Sequence, residues 1–455
     1  MDTLTRAKEL KLALTDFVLD AEDEVATALE TYSAAQLSRS QQTDLYRREL
    51  VVDRFLMEAQ IGEQTPIDLF IAQEADLTES DRRLLQRWQR SFVGLFAVTQ
   101  VLPDGLELMN WTTAKTYTVR LTEAELQAAA KLKEGDILLT QIVPLSDSDW
   151  MVSSKWIALG KLGKPKLAVA IGNFKQNYKE HLYSDAPDLL EEAWKSVERY
   201  HQDFTDFFGS GEITMSGYQL SKKLAEFQEV MTEKQLERSG IDHSKSVQEL
   251  AEEAGISQEE LEETATAMGA DAKVVNQMLD AKQPTKMMAP KVELPPALKK
   301  AEQVTVLTDP RWGQVFSPHY AQFKASLAAL TSNSTSPSTE NTTPDSTADS
   351  TVGSLARKFL EDPAIPAFVW HQLAEQYPAQ LEVVLRRVLE RPDFNLLQDL
   401  DKVLQEFGKP LQPELPEIAS VPIHLHNLFQ AAVIEVSKDK SKKKIKSKTG
   451  TGFQR

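Results

Sequence analysis

The chain has 455 residues and a formal net charge of −17, and 41% of its residues are hydrophobic and 26% charged. This length exceeds what one hydrophobic core usually fills, so we expect roughly two to four domains. The absence of cysteine excludes disulfides, thiol catalysis, iron–sulfur clusters and thiolate-bound zinc.

The N-terminus and the hydropathy pattern indicate where the protein works. The opening residues Met1-Asp2-Thr3-Leu4 are not a basic segment followed by an apolar core, as a secretory signal would be. No apolar run approaches the roughly 20 residues that span a bilayer. We therefore expect a cytoplasmic protein without a transmembrane segment.

The charge is unevenly distributed along the chain. Residues 438–455 contain seven Lys, one Arg and one Asp, a net charge of +7, which leaves −24 on the rest of the chain. An acidic body repels phosphate backbones. The basic tail could hold an anionic partner, but charge runs of this kind are more often solvated, disordered ends.

The first 91 residues predict helices. Leu10, Leu14 and Val18 recur at helical spacing, as the apolar face of a buried helix does. Thr78 precedes Glu79 and Asp81, so we expect it to cap the start of another helix.

The period of the pattern changes at Phe92, and five segments then favour strands, the last of them bent. A helix opened by Thr122, with Glu125 completing a capping box, separates the third strand from the fourth. This order is typical of an oligonucleotide-binding (OB) barrel, although an SH3-like barrel also fits. The predicted strands are Phe92–Leu102, Leu106–Trp111, Thr116–Arg120, Ile137–Val143 and Trp150–Leu159.

Beyond Gly172 the pattern is helical almost throughout, including a patch around Trp312 to Leu330. Residues 331–351 are mainly Ser, Thr, Asn, Pro and acids, too polar to offset ordering entropy, so we expect a flexible linker there. Prolines then punctuate short helices in a C-terminal module.

The predicted fold class is therefore mainly α with a small embedded β-barrel, OB-like or SH3-like, in a multi-domain chain. The predicted segments are a helical region at 1–91, the barrel at 92–160, a helical middle at 161–282, a Pro-containing connector and helical patch at 283–330, a disordered linker at 331–352, a helical module at 353–437 and a disordered basic tail at 438–455.

Within the helical middle, residues 246–279 contain the spacing of a helix-turn-helix. Leu250-Ala251, Gly255 in the turn and Ser257 as a cap of the second helix carry this pattern. The would-be recognition helix holds four glutamates, among them Glu259 and Glu260, and carboxylates in a major groove oppose DNA binding. We expect a packing or protein-docking unit, and sequence-specific DNA is disfavoured.

A basic strip follows the barrel, since six lysines and no acid lie between Lys155 and Lys179. Aromatic residues lie among these lysines, and this combination can track a single-stranded backbone and stack its bases. The barrel segment itself holds five basic and eight acidic residues, which argues against a large positive surface. The candidate contacts to nucleic acid or another anionic partner are Lys155, Trp156, Lys161, Lys164, Lys166, Phe174, Lys175, Tyr178 and Lys179.

Signatures of chemistry are missing elsewhere. Of the seven histidines only His424 and His426 are close in sequence, and a metal site normally needs three or four converging ligands. No phosphate-binding glycine loop or nucleophile elbow is present. We therefore expect no catalytic residue, metal or cofactor.

Three stretches carry a resemblance to a known family: SFVGLFAVTQVLPDGLELMNW at 91–111, PRWGQVF at 310–316 and ELPEIASVPIHLHNLFQ at 414–430. With these stretches the chain resembles an uncharacterised family of cyanobacterial proteins, nearly from end to end. The resemblance implies a bacterial cytosol, or its thylakoid-facing side. It carries over no functional residue.

Three functions of different class remain open. The leading hypothesis is a non-enzymatic protein-binding or assembly factor, a scaffold whose linked helical modules and small barrel engage unidentified protein partners. The alternative is an RNA- or ribosome-associated protein that uses the barrel, the basic strip and the lysine-rich tail. The second alternative is an enzyme with a dispersed acid/base site.

Overall fold

The computed structural model describes residues 2–38, 45–153, 155–238, 287–288, 292, 294–332, 346–429, 431–432 and 435. The helix-turn-helix spacing at 246–279 and the basic tail at 438–455 lie outside these residues. The chain divides into two compact units. The first comprises residues 1–190, 264–270 and 422–455, and the second comprises residues 191–263 and 271–421.

Helices open the first unit, as the sequence predicts. Thr78 caps its helix, because its side chain accepts a hydrogen bond from Asp81 N while the Asp81 carboxylate accepts one from Thr78 N. Leu14, Phe55 and Trp88 lie in the core that these helices share. The helices are α1 (Thr3–Leu19), α2 (Glu24–Ser38), α3 (Leu45–Glu58), α4 (Pro66–Gln73) and α5 (Glu79–Arg87), followed by a 3-10 turn at Trp88–Arg90.

Five strands close into a β-barrel. β1 pairs with β2 and β4, β2 with β3, β3 with β5, and β5 with β4; the β3–β5 pair is parallel and the others are antiparallel. Thr122 forms the predicted capping box at the start of α6 (Glu123–Ala129). The strands are β1 (Phe92–Leu102), β2 (Gly105–Asn110), β3 (Thr116–Arg120), β4 (Asp136–Pro144) and β5 (Asp149–Val152).

The predicted single bent strand at 150–159 consists of two strands. β5 ends at Val152, and β6 (Ile157–Lys161) begins after a break. Both strands pair antiparallel with β4, β5 at residues 142–144 and β6 at residues 136–139. The chain therefore follows one edge of β4 twice, and β6 extends the sheet beyond the barrel.

β1 is buried on both faces because two cores lie against it. Phe92 and Phe96 point into the barrel, where Phe92, Tyr117 and Trp150 pack edge to face with ring centroids 5.2–5.6 Å apart. Leu95 points outward and packs with the helix that follows β6. The nearly continuous apolar sequence of β1 reflects this double burial.

The second unit contains strands that the sequence pattern missed, so the prediction of helices almost throughout is wrong there. β7 (Glu212–Met215), β9 (Val304–Asp309) and β10 (Gly313–Ser317) form an antiparallel sheet in the order β10-β9-β7. The PRWGQVF stretch is the turn and second strand of the β9–β10 hairpin, with Asp309 Oδ1 accepting from the backbone N of Arg311 and Trp312 at 2.8 Å. Two short strands, β8 (Met287–Met288) and β11 (Val421–Pro422), complete the set in the described residues.

Helices supply the rest of the structure. Trp370, Tyr320 and Phe323 are fully buried in one core of the second unit. Residues 423–429 are also helical. The remaining helices are α7 (Lys164–Asn177), α8 (Pro187–Phe208), α9 (Gly217–Arg238), α10 (Pro296–Lys299), α11 (Tyr320–Ser332), α12 (Ser346–Glu361), α13 (Ala367–Gln376), α14 (Pro378–Val388) and α15 (Leu396–Glu406), with a 3-10 turn at Lys179–His181.

The ends of the predicted linker are helical. α11 continues to Ser332 and α12 begins at Ser346, so only residues 333–345 of the predicted 331–352 segment lie outside the description. Burial of Val352, Leu355 and Phe359 stabilises α12, and its polar first turns continue that helix.

The coarse fold prediction is confirmed, since the described residues are largely helical and include a small closed barrel. The protein as a whole is mixed α and β, because the second unit has a sheet of its own. In the part of the chain that is described, no helix is both long and apolar enough to cross a membrane.

Candidate binding site beside the barrel

A cavity of about 400 Å³ lies in the first unit, between the barrel, α3 and α7. Strand β6 forms one wall with Ile157 and Leu159, and Leu95 and Leu139 of the barrel lie beside it. α7 forms the opposite wall. The cavity is half-open, so its mouth reaches the protein surface.

The sequence of α7 explains how that wall forms. Gly163 precedes the helix and a proline lies in its first turn, where no backbone N–H is needed. Leu167, Ile171 and Phe174, at helical spacing, pack into the core outside β1. The side chains that line the cavity come from the adjacent arc of the same helix and include Lys166, Val169 and Ala170.

The structure separates the lysines of the predicted basic strip. Each helical residue turns by about 100°, so Lys164 and Lys175 lie within about 20° of each other on α7, while Lys166 lies roughly 160–180° away. Lys161 lies on β6, with its side chain beside Gly135. These four lysines are exposed and form no ion pair with the described residues. They are therefore exposed cations, of which Lys164 and Lys175 share one side of α7 and Lys166 lies on the other.

The aromatic residues of the strip are mostly committed to packing. Phe174 is buried, and Tyr178 stacks on it with ring centroids 5.1 Å apart. Trp156 is half-buried against the barrel core. Of the two remaining lysines, Lys155 lies 3.6 Å from a carboxylate oxygen of Glu49, and Lys179 is exposed in the 3-10 turn. The rings of Trp156, Phe174 and Tyr178 therefore do not form an open stacking platform beside the exposed lysines.

Arg54 is a cavity residue that sequence reasoning missed. Its side chain is only 4% exposed, because Leu50 of the same helix packs outside the barrel while Phe55 packs among the N-terminal helices. The guanidinium donates to Glu58 Oε1 at 2.6 Å and to the Glu180 carboxylate. The buried Arg54 Nε has no hydrogen-bond partner among the described residues.

A polar network surrounds Arg54. Tyr32 donates its hydroxyl to Glu58, and His181 Nε2 lies 3.0 Å from Glu58 Oε2. Burial opposes ionisation of Glu58, but His181 and the charge of Arg54 outweigh it, so the pKa of Glu58 lies below its ordinary value. Burial, followed by the charge of Glu58, raises the pKa of Tyr32, so its hydroxyl stays a donor at neutral pH.

One group in the described residues has the composition of a metal site. Ligand atoms of Glu58, Glu180 and His181 lie within 4.8 Å of one another. The Arg54 guanidinium already contacts both carboxylates, and its charge would repel a divalent cation. The arrangement therefore favours an internal ion-pair network over a metal site.

The residues that line the cavity have an unusual charge. Sixteen residues line it, of which ten are apolar, four are neutral polar residues and two are cations, Arg54 and Lys166; none is a carboxylate. In a chain of net charge −17, this is a local reversal of sign. Small-molecule sites commonly have a volume of this size and combine an apolar lining with a few converging polar groups.

Comparison with family models, with curated proteins and with solved structures finds no match to the chain. The function therefore rests on the geometry and chemistry of the site itself.

Proposed function

We propose that the protein is a non-enzymatic binding factor that docks an acidic protein partner at the mouth of the cavity. The observation that carries the proposal is an exposed apolar pair beside a free cation. Leu159 of β6 is 40% exposed and Val169 of α7 is 63% exposed, and both line the cavity together with Lys166. We name Leu159, Lys166 and Val169 the mouth face.

A protein partner fits the mouth face better than a nucleic acid does. Apolar side chains with a charged neighbour are typical of a protein interface, in which an apolar centre is surrounded by polar groups. A phosphate backbone gains nothing from an exposed leucine and valine. The positive sign of Lys166 selects an acidic partner and disfavours a basic one.

We also propose that the barrel is OB-like. The closed strand order, the parallel β3–β5 pair and the helix between β3 and β4 support this type over an SH3-like barrel. In an OB barrel the second and third strands and two loops bind nucleic acid. Here Arg120 of β3 forms ion pairs with Asp104 and Asp149. Its charge is therefore already neutralised and is not available to bind a phosphate on that face.

RNA or ribosome binding remains the second candidate, carried by the lysines alone. Lys161, Lys164 and Lys175 are exposed without ion pairs in the described residues, and free lysines can contact phosphates. Lys164 and Lys175 share one side of α7, and Lys161 lies on β6, so Lys164 and Lys175 can contact one phosphate backbone together. The expected setting for both candidates is a cyanobacterial cytosol.

The test is a tagged pull-down of the full chain from cyanobacterial lysate, in halves with and without nuclease, compared by quantitative mass spectrometry. The double variant Leu159→Asp/Val169→Asp should lower capture of nuclease-resistant protein partners by at least about tenfold, the size of roughly 1.4 kcal/mol of lost contact.

The matched control is Leu12→Asp/Leu19→Asp, which places the same two charges on exposed apolar positions of α1, away from the cavity. It should leave capture unchanged. Equal capture by the mouth-face variant and the control would refute docking at this face. Ribosomal partners that vanish with nuclease, and with Lys164→Glu/Lys175→Glu, would establish the RNA alternative instead.

A further inference from the structure

We propose that the interior of the same cavity binds a single-chain amphiphile with an anionic head group, such as a long-chain carboxylate. This inference goes beyond partner docking, because it concerns the space behind the mouth face and a small molecule.

The volume supports a ligand of this size. About 400 Å³ lies within the range of roughly 300–1,000 Å³ that is typical of small-molecule sites. The walls come from three packed elements, α3, the barrel and α7, so the space is framed by secondary structure. Leu50, Leu139 and Phe174 line it, and Leu50 and Phe174 belong to the core outside β1.

The apolar lining selects a hydrocarbon chain. Ten of the sixteen lining residues are apolar, and they come from both the barrel side and the helix side. An acyl chain between these walls is shielded from water on two sides, by the barrel and by α7. Each methylene that is buried in this way tightens binding by about fourfold.

The charges select the head group. Arg54 and Lys166 line the cavity and no carboxylate does, so an ammonium head would meet only like charges there. The charge of Arg54 is already shared by Glu58 and Glu180. Lys166 is exposed and has no ion pair in the described residues, so it is the anchor for the anionic head at the mouth.

The experiment measures binding by the full chain directly. Calorimetric titration with octanoate, decanoate and dodecanoate, each below its micelle concentration, should show affinity rising by about fourfold per methylene. Dodecyltrimethylammonium should bind at least about tenfold more weakly than dodecanoate, because its head charge is opposite.

Three variants locate the site. Ala170→Trp fills the cavity and should abolish dodecanoate binding. Lys166→Glu should weaken it by about tenfold, whereas Lys164→Glu, on the same helix but outside the lining, should leave it unchanged. The Lys166→Glu and Lys164→Glu pair changes only exposed positions, so it decides the question even if Ala170→Trp does not fold.

The ligand could be a free amphiphile or a membrane lipid, and vesicles distinguish the two. If the protein binds dodecanoate but does not float with phosphatidylglycerol vesicles, the ligand is a free amphiphile. If it floats with the vesicles and Ala170→Trp abolishes the flotation, the ligand is a membrane lipid. Affinity that is independent of chain length, or equal weakening by Lys164→Glu and Lys166→Glu, overturns the proposal. These measurements contain no protein partner, so a negative result would not contradict the proposed docking of a partner. A negative pull-down would likewise not contradict the binding of an amphiphile.

Discussion

Replacing Arg54 by Met tests whether the buried network organises the cavity wall. The Arg54 side chain is 4% exposed and contacts Glu58 at 2.6 Å, Gln36 at 3.2 Å and the Glu180 carboxylate. Removing one partner of a fully buried ion pair costs about 3–5 kcal/mol. Here the side chains of Glu58 and Glu180 are 27% and 53% exposed, so water relieves part of the cost and we expect about 2–3 kcal/mol.

The assay is hydrogen exchange of the full chain, read by mass spectrometry on peptides of α3. The expected loss corresponds to exchange that is roughly 30- to 150-fold faster. Glu58→Gln alone should cost less, because Arg54 keeps Glu180. The double variant should then be about 1–2 kcal/mol less destabilised than the sum of the two single variants.

The control is Arg83→Met, at a residue whose side chain is 70% exposed and lies 3.5 Å from Glu79. Such an exposed pair contributes about 0.5 kcal/mol or less, so exchange in α5 should hardly change. If Arg54→Met shifts α3 no more than Arg83→Met shifts α5, the reasoning about the buried network is refuted.

Three further predictions concern other buried polar groups. The two hydrogen bonds from Arg6, each 3.0 Å, lower the pKa of the Asp81 carboxyl, so its stabilisation is complete above about pH 4 and is lost as the pH falls further; acid unfolding of Asp81→Asn should lack this component. Burial lowers the pKa of His424 and His426, so the protection of residues 423–429, measured relative to the intrinsic exchange rate at each pH, should fall as the pH drops below about 6.5. In a His424→Phe/His426→Phe variant this protection should not change with pH. Lys409 is buried, and its Nζ donates to two backbone carbonyls at 2.8 Å; Lys409→Met should cost about 1–3 kcal/mol in denaturant unfolding, and an unchanged midpoint would contradict that role.

Local patterns determined much of the fold. The cap at Thr78 and the capping box at Thr122 could be predicted because each threonine lies three residues before a carboxylate, and these contacts involve only neighbouring residues. β1 to β4 were predicted from alternation and turn residues for the same reason. The hairpin of β9 and β10 lies inside the predicted connector and helical patch at 283–330, although Val304-Thr305-Val306 favours a strand.

The cavity was decided only by the tertiary structure. Arg54 and Glu180 are 126 residues apart, and no periodicity in the sequence indicates that they meet. The predicted basic strip shows the opposite case, in which residues close in sequence are separated in the structure. Its lysines and aromatics are neighbours in sequence, but helix geometry places Lys164 and Lys166 on opposite sides of α7, and packing turns Phe174 into the core.

Sequence alone thus determined which residue types were present, where most elements begin and that a small barrel follows the first helices. Tertiary structure decided which side chains share a surface, because the face that a helix buries depends on the partner it packs against. The charge-reversed cavity in an acidic chain is a consequence of that packing. It brings residues from α3, β1, β4, β6 and α7 together, and the position of each depends on all the others.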